Sequence, residues 1–320
     1  MTISDIDIVF LYIFKKRRCK KMSKDKKEII EMAREHGLNL KKESLKYNES
    51  GLDFQVIMAQ SEKGKDWVLR IPRRKDVMAI SKKEKEILDF VNGKISIEVP
   101  IWEIYTEELI AYQLLTGVPA GTIDPEAEIY IWEIDEKNLP IQFIKTLAEA
   151  MVSLHQINLK DFANTGIELK TIDQCRKNMR TRMEKVKEEF NVNQTLWRRW
   201  QKWLDDDSLW PDRTALIHGE LHAGHILIDD NSSVTGLIDW TEAEVSDIAK
   251  DFVAYYMIFG KEALDKLISY YQEAGGYVWP NMMKHIIEYN ATYPLDIVEF
   301  AIRSGLREYR EMARKSLGVK

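Results

Sequence analysis

Two different spacings of hydrophobic residues divide the chain into a strand-rich first part and a helix-rich second part. Between residues 41 and 115, apolar and polar positions alternate in short runs, which is the pattern of a half-buried strand. The predicted strands cover residues 44–47, 53–59, 67–71 and 109–115. One predicted helix interrupts them over residues 81–91, with Ser81 as its N-cap and Glu84 in its first turn.

After Pro140 the apolar residues recur at intervals of three and four, which is typical of amphipathic helices. The predicted helices cover residues 143–157, 172–190 and 247–260. The change of pattern falls near residues 116–121. The sequence therefore predicts an α+β protein with two lobes. Residues 22–115 would form a small lobe of antiparallel strands with one interrupting helix, and residues 116–320 a larger, mostly α-helical lobe.

Residues 1–21 are expected to form an N-terminal extension that takes no part in this fold. Their apolar run, residues 8–14, has seven residues, whereas a membrane span needs about 20. Asp5 and Asp7 precede this run and a basic cluster follows it, which reverses the charge order of a signal peptide. Secretion is therefore not expected. An amphipathic helix is predicted to begin near Met22, so the extension is either the product of an alternative start or a weak anchor at a membrane surface.

Composition excludes several functional classes. The chain has 320 residues, of which 45% are hydrophobic and 31% are charged, as in an ordinary globular protein. Its net charge of −5 gives no reason to expect nucleic-acid binding. Cys19 and Cys175 are far apart and lack metal-ligand spacing, so neither a disulfide framework nor a zinc cluster is predicted. We expect a monomeric cytoplasmic protein without a nucleic-acid or membrane partner.

The residues best suited to chemistry lie in two neighbouring segments of the second lobe. The first segment carries Glu220 among three of the six histidines of the chain, His218, His222 and His225. Asp239 follows 19 positions after Glu220, and each carboxylate lies at the edge of a short run that predicts a strand. Two such strand ends can meet over one bound metal ion. This pattern indicates a phosphoryl-transfer centre.

A zinc site is the main alternative for the histidines, because separations of four and three would align them on one face of a helix. Gly219 and Gly224 argue against a helix there, since each costs about 1 kcal/mol relative to alanine. The flanking runs, residues 215–217 and 226–228, predict strands instead. His218 and His222 can also have a purely structural role, in which they hold the loop through backbone hydrogen bonds.

Several segments resemble a known group of enzymes. The order of strand, turn, strand with a basic residue, helix with Glu84, and then the two segments above is similar to the aminoglycoside phosphotransferases, whose fold resembles that of protein kinases. The chain resembles the macrolide 2′-phosphotransferases more closely, and this likeness extends over nearly everything after Met22. The segments that carry it are residues 48–54, 67–74, 236–243 and 273–280.

Phosphoryl transfer needs an oriented nucleophile, metal ions on the phosphate oxygens and positive groups around the nucleotide. Glu220 can accept a hydrogen bond from a substrate hydroxyl. Asp239 and His225 are predicted to hold Mg²⁺. The nucleotide is predicted to contact the turn at Ser50 and Gly51, the strand residue Arg70 with Glu84 positioning it, and the linker between the lobes, Tyr112, Gln113, Leu114 and Leu115.

Three residues depart from the pattern of the wider superfamily. Glu220 stands where most members have aspartate, and a displacement of about 1 Å can cost on the order of 10²-fold in rate. His225 and Arg70 stand in place of asparagine and lysine, and both resemble the macrolide enzymes. A catalytically impaired nucleotide-binding module is therefore the alternative from a different functional class. An exposed surface position is the alternative for Glu84, and a helix cap is the alternative for Asp239.

The expected acceptor is a macrolide, a large apolar ring that carries a cationic amino sugar. Methionine and aromatic residues of the C-terminal third can form an apolar wall for it, although each is also a candidate core residue: Trp279, Met282, Met283, Tyr289, Tyr293 and Phe300. An aminoglycoside would require a strongly acidic cleft, and the chain has no long acidic run. The resemblance implies GTP as the phosphate donor, with ATP as the alternative, and leaves an aminoglycoside or choline as alternative acceptors.

Overall fold

The structure is a computed structural model that describes residues 24–48, 53–74, 76–124, 129–162 and 166–319. Two of the predictions lie outside these residues: the N-terminal extension, residues 1–21, and the phosphate turn at Ser50 and Gly51. Within the described part of the chain, no helix is both long enough and apolar enough to cross a membrane.

A five-stranded antiparallel sheet forms the first lobe. Its strands are β1 (Lys46–Asn48), β2 (Phe54–Gln60), β3 (Asp66–Pro72), β4 (Ile104–Tyr105) and β5 (Ile110–Gln113). The spatial order is β1-β2-β3-β5-β4. The four strand predictions are confirmed with bounds that shift by at most two residues, while β4 was not predicted. Since β3 is central, Arg70 lies inside the sheet, paired with Val56 on one side and Ile110 on the other.

Among the described residues, two helices accompany this sheet, α1 (Lys26–Glu35) and α2 (Val77–Val91). The predicted start of α2 at Ser81 was wrong, because the helix begins four residues earlier. The Ser81 hydroxyl donates to the carbonyl of Met78 inside the helix and caps nothing. The reason is that the apolar face extends back to Val77, and burial of this face outweighs the preference of serine for an N-cap. Glu84 lies on the same buried face.

The second lobe is mostly helical, as predicted. Its helices are α3 (Ile141–His155), α4 (Ile172–Phe190), α5 (Gln194–Asp205), α6 (Lys250–Glu273), α7 (Met282–Asn290), α8 (Tyr293–Ser304) and α9 (Arg307–Ser316). The predicted bounds of α4 are confirmed, and those of α3 shift by two residues. Helix α6 begins three residues after its predicted start, and the predicted end at Gly260 is confirmed as a break with a non-helical φ of 78°, beyond which a second helical segment continues to Glu273.

Short strands of the second lobe hold the two segments that carry the candidate chemistry. They are β6 (Val118–Pro119), β7 (Gly121–Asp124), β8 (Ile129–Trp132), β9 (Ala215–Ile217), β10 (Ile226–Ile228), β11 (Val234–Leu237) and β12 (Glu244–Ser246). They pair as β6-β10-β11, β9-β12 and β7-β8. The predicted strands at residues 215–217 and 226–228 are thereby confirmed. Helices α3 and α6 pack behind these strands in one hydrophobic core.

Candidate active site

The segment between β9 and β10 is a loop, called here the catalytic loop, residues 218–225. It turns sharply at Gly219, whose φ is +85°. A side chain there would place its Cβ 2.2 Å from the carbonyl oxygen of Glu242, so only glycine fits both the conformation and the space. Residues Ala223–His225 then form a single 3₁₀ turn that leads into β10. The helix required by the zinc alternative is therefore absent from this described segment.

The carboxylate of Asp251 at the start of α6 binds the backbone of the catalytic loop. It accepts the backbone N–H of His218 at 2.9 Å and that of Gly219 at 2.7 Å. His155 of α3 lies 3.0 Å away through Nε2, and its Nδ1 is 2.9 Å from the hydroxyl of Tyr271. Burial alone would raise the pKa of Asp251, but these donors lower it. Asp251 therefore stays ionised and fixes the loop backbone.

His218 links the catalytic loop to the residue before Asp239. Its Nε2 donates to the carbonyl oxygen of Ile238 at 3.0 Å, and the backbone N–H of Glu220 approaches its Nδ1 at 3.4 Å. The ring is completely buried, and this burial lowers the pKa of His218 to about 4. A neutral ring with one donor and one acceptor nitrogen satisfies both contacts. His218 is therefore a structural residue, as one of the two interpretations held.

His225 and Asp239 come together at the two strand ends. The Nδ1 of His225 donates to the backbone carbonyl of Glu220 at 2.9 Å. Its Nε2 faces Asp239 Oδ2 at 3.7 Å. Since Nδ1 carries the proton, the neutral ring presents the lone pair of Nε2 toward the carboxylate. A cation can lie between these two atoms.

The donors at this position fit a magnesium ion that takes few ligands from the protein. No group of three or more histidine, cysteine, aspartate or glutamate side chains in the described residues could hold a metal. Mg²⁺ commonly takes one or two protein ligands and completes its shell with phosphate oxygens and water. Asp239 suits this role because its side chain is 45% exposed. Its neighbours Leu237 and Trp240 are buried.

Glu220 and Asp239 have opposite protonation tendencies. Burial, together with the negative charges of Asp239 and Glu242, raises the pKa of Glu220 to about 7. Partial burial also disfavours the charge on Asp239, but electrostatic interactions with His225 and Arg70 outweigh it and lower the pKa of Asp239 to about 2. A proton acceptor titrating near neutral pH beside a permanently charged carboxylate is the combination that general base chemistry uses.

Arg70 and Glu84 form a buried pair that connects the sheet of the first lobe to α2. Two guanidinium nitrogens donate to the two carboxylate oxygens, at 2.6 and 3.2 Å. The guanidinium carbon also lies 4.3 Å from the ring centroid of Phe54 and 5.4 Å from that of Trp102. Glu84 is only 2% exposed, so the alternative of an ordinary surface residue was wrong. Planar stacking and the bidentate contact suit arginine better than lysine.

The predicted linker residues lie where the chain leaves the first lobe. Tyr112 and Leu115 are buried, whereas Leu114 is 46% exposed. The amide of Gln113 donates to Glu103 and accepts from Lys65 at 3.1 Å. These contacts hold the linker against the sheet of the first lobe.

The six predicted acceptor-wall residues do not form one surface. Trp279, Met282 and Phe300 are buried in hydrophobic cores, as the alternative interpretation held. Met283 and Tyr289 are half-buried against the same cores. Tyr293 is half-buried, and burial raises the pKa of its phenol well above the usual value, with smaller contributions from Asp296, Tyr130 and Glu220 in the same direction.

A group of aromatic residues absent from the predictions joins the β7–β8 hairpin to α6, and we call it the aromatic cluster: Tyr130, Trp132, Tyr255 and Phe259. Tyr130 and Trp132 stack with ring centroids 4.7 Å apart. Trp132 is 5.6 Å from Phe259, which is 4.9 Å from Tyr255. The available sequence signal was the spacing of four from Asp251 to Tyr255 to Phe259, which puts all three on one face of α6.

Residues 44–285 match the model of the phosphotransferase enzyme family known as APH. The chain belongs to this family. The phosphotransferase is also 44% identical over 292 residues to the uncharacterized protein YcbJ of Bacillus subtilis strain 168, covering 91% of this chain and 95% of that protein. Its family identifies it as an enzyme that transfers phosphate to a hydroxyl group.

Solved structures confirm the kinase-like fold and the resemblance to macrolide enzymes. The phosphotransferase superposes on macrolide 2′-phosphotransferase type I with a TM-score of 0.84 at 37% identity, covering 93% of this chain and 98% of that one. For the apoenzyme of macrolide 2′-phosphotransferase MphH from Brachybacterium faecium, the TM-score is 0.85 at 34% identity, with 92% and 97% covered. A complex of an aminoglycoside phosphotransferase with GDP and kanamycin has a TM-score of 0.71 at 17% identity, over 91% and 96% of the two chains, a likeness of fold alone.

Proposed function

We propose that this phosphotransferase moves the γ-phosphate of GTP to the 2′-hydroxyl of the amino sugar of a macrolide antibiotic and so confers resistance to it. The observation that carries the proposal is the likeness to two macrolide 2′-phosphotransferases over at least 92% of the chain, at TM-scores of 0.84 and 0.85. The paired Arg70 and Glu84 and the facing His225 and Asp239 supply the parts that phosphoryl transfer needs.

In the proposed reaction Glu220 orients the acceptor hydroxyl and takes its proton. The hydroxyl oxygen forms a bond to the γ-phosphorus, the bond from this phosphorus to the β–γ bridging oxygen breaks, and the nucleoside diphosphate leaves. A pKa of about 7 lets Glu220 accept the proton near neutral pH. Asp239 and His225 would hold Mg²⁺, which supplies charge neutralisation on the phosphate oxygens when it is bound.

Arg70 is proposed to contact the α- and β-phosphates, with Glu84 fixing its direction. The turn at Ser50 and Gly51 and the linker from Tyr112 to Leu115 are proposed to complete the nucleotide site. GTP is the first choice of donor because the resemblance to the macrolide 2′-phosphotransferases implies it, although solved structures of the same fold hold either GDP or ATP. ATP is the alternative.

We propose that the acceptor binds to the aromatic cluster together with Tyr293, and not to the full set of six residues predicted from sequence. Tyr130, Trp132, Phe259 and Tyr293 are half-buried and offer an apolar face, with Tyr255 packed in the core behind them. The macrolide ring is large and mostly apolar. Asp239 and Glu220 would attract the cationic amino group of the sugar. The lobe bounds, 22–115 and 116–320, the cytoplasmic location and the monomeric state stay predictions.

The test is transfer of phosphate by the purified protein with Mg²⁺, either GTP or ATP, and either erythromycin or kanamycin, followed by mass spectrometry of the antibiotic. Erythromycin that gains one phosphate with GTP supports the proposal. Phosphorylated kanamycin without phosphorylated erythromycin would move the acceptor to the aminoglycosides. Nucleotide binding without any transfer would favour the impaired module, for which the departure of Glu220 from aspartate is the observation.

A matched pair of variants tests the placement of the chemistry. Asp239→Ala should abolish transfer, because Asp239 supplies the carboxylate that faces His225 Nε2 at the strand ends. Asp229→Ala, on the neighbouring turn, should leave transfer within about threefold of the wild type, since Asp229 bonds only the backbone of its own turn. Full activity of Asp239→Ala would refute the mechanism.

A further inference from the structure

Thr241 stands between the two carboxylates that the site uses from opposite lobes. Its hydroxyl oxygen is 2.9 Å from Asp239 Oδ1 and 3.2 Å from Glu84 Oε2. Asp239 belongs to the second lobe and Glu84 to α2 of the first. Thr241 itself is half-buried at the turn that follows β11.

These contacts form one continuous path of polar atoms. Arg70 donates to Glu84 at 2.6 Å, Thr241 reaches Glu84 at 3.2 Å, and Asp239 lies 2.9 Å from the same hydroxyl. The path therefore runs from the arginine proposed for the phosphates to the carboxylate proposed for the cation. Burial of Glu84 makes its hydrogen bonds costly to lose.

The hydroxyl of a threonine has one hydrogen, so it can donate fully to one carboxylate at a time. Both neighbours are acceptors, and whichever carboxylate lacks the hydrogen faces the lone pairs of the threonine oxygen. A cation on Asp239 satisfies that carboxylate and frees the hydrogen to turn toward Glu84. The state of Asp239 thus affects how firmly Glu84 and its partner Arg70 are held.

From this geometry we infer that Thr241 is a positioning residue that couples the cation site at Asp239 to the phosphate-binding pair Arg70 and Glu84. The inference rests on the proposed roles of those three residues in the transfer reaction. Its consequence is energetic coupling between two ligands, which is reciprocal: Mg²⁺ tightens nucleotide binding through Thr241, and nucleotide tightens Mg²⁺ binding by the same factor.

The experiment measures binding and does not depend on turnover. The affinity of the protein for N-methylanthraniloyl-GTP is measured with 5 mM Mg²⁺ and with EDTA, in the wild type, Thr241→Val and Thr241→Ser. In the wild type Mg²⁺ should tighten nucleotide binding. Thr241→Val, which has nearly the same shape and no hydroxyl, should reduce this enhancement by roughly tenfold and leave the affinity in EDTA within about threefold. Thr241→Ser should keep the enhancement.

Thr181→Val is the matched control, because Thr181 on the exposed face of α4 donates only to a backbone carbonyl of its own helix, that of Lys177. It should reproduce the wild-type enhancement. A wild-type enhancement in Thr241→Val would overturn the inference. Equal losses in Thr241→Val and Thr241→Ser would also overturn it, since the hydroxyl would then not be the cause.

The proposed function is tested separately in the same preparations. A wild type that binds nucleotide with Mg²⁺ enhancement yet phosphorylates no macrolide refutes the acceptor and leaves the coupling intact. If transfer does occur, Thr241→Val should lower kcat by roughly tenfold while KM for erythromycin changes little, because the Thr241 hydroxyl bonds to Glu84 and Asp239 and not to the residues proposed for the acceptor.

Discussion

The carboxylate of Asp251 accepts the backbone N–H of Gly219 at 2.7 Å, so the first turn of α6 fixes the bend that presents Glu220. Asp251→Asn replaces one carboxylate oxygen by an NH₂ group. This NH₂ group cannot accept the hydrogen bond from the backbone N–H that it faces. We expect kcat to fall by about 10²-fold or more, because small displacements of the catalytic group carry large penalties. Steady-state kinetics measures it.

Asp265→Asn, an exposed aspartate further along α6, is the control and should behave as the wild type. If Asp251→Asn lowers the free energy of unfolding but leaves kcat unchanged, the carboxylate stabilises the fold without positioning the loop.

Glu220→Gln should lower kcat by roughly 10²- to 10⁴-fold, because the amide cannot take a proton from the acceptor hydroxyl. The wild-type kcat/KM should rise with pH through about 7, since the base acts in its deprotonated form and burial raises its pKa to about 7. The pH profile of kcat/KM for erythromycin measures this. Glu220→Asp should gain no more than about tenfold, and a larger gain would support the impaired module.

Arg70→Lys should raise KM for the nucleotide by about 10- to 100-fold. Lysine retains the charge but loses the two-point contact with Glu84 and the stacking against Phe54 and Trp102. Arg74→Lys, at an exposed position where the arginine pairs with Asp53 and Asp76, should have wild-type kinetics. A KM in Arg70→Lys equal to that of the wild type would show that the stacked geometry is dispensable.

Phe259→Ala should raise KM for erythromycin by about tenfold or more and leave KM for the nucleotide unchanged, because it removes apolar surface from the aromatic cluster. Met282→Ala is the informative comparison. Met282 is buried in the core, so its truncation should lower the thermal midpoint without selectively raising KM for the macrolide. If Met282→Ala raised KM for erythromycin and Phe259→Ala did not, the acceptor site predicted from sequence would be supported instead.

Acid should destabilise the protein through His218. Its pKa is lowered to about 4 in the folded state and is about 6.5 in an unfolded chain. The unfolded state therefore binds more protons below pH 6.5, and stability that is complete above this pH is lost as the pH falls toward 4, by up to about 3 kcal/mol. Chemical unfolding between pH 7 and 4 measures the loss.

His218→Gln keeps a donor for the carbonyl of Ile238 and cannot titrate, so its unfolding free energy should depend less on pH than that of the wild type. His36→Gln, at a histidine on the rim of the first lobe that contacts Glu108, serves as the control. If the unfolding free energies of His218→Gln and the wild type had the same pH dependence, His218 would not be the cause of the loss of stability in acid.

Local patterns predicted most of the elements, because alternation and three-to-four spacing depend on residues close in sequence. They also singled out Glu220, His225 and Asp239, since all three lie near strand ends within one short stretch, and their roles stay predictions. The start of α2 was missed because serine at position 81 resembles a cap, while the contacts that bury Val77 come from distant residues. Thr241 gave no signal, because its partner Glu84 is 157 residues away. The aromatic cluster, similarly, combines a hairpin with one face of α6.

The kink at Gly260 separates a short leading piece of α6 from the remainder, and this piece carries Asp251, Tyr255 and Phe259 on one face. From Lys250 to Phe259 it is only about 15 Å long. The same short helical segment thus carries Asp251, which binds the catalytic loop, at one end and Phe259, which is proposed to contact the antibiotic, at the other. Substitutions at Phe259 that make room for a larger antibiotic are therefore constrained by catalysis, because a tilt of this segment would also shift the loop that Asp251 binds.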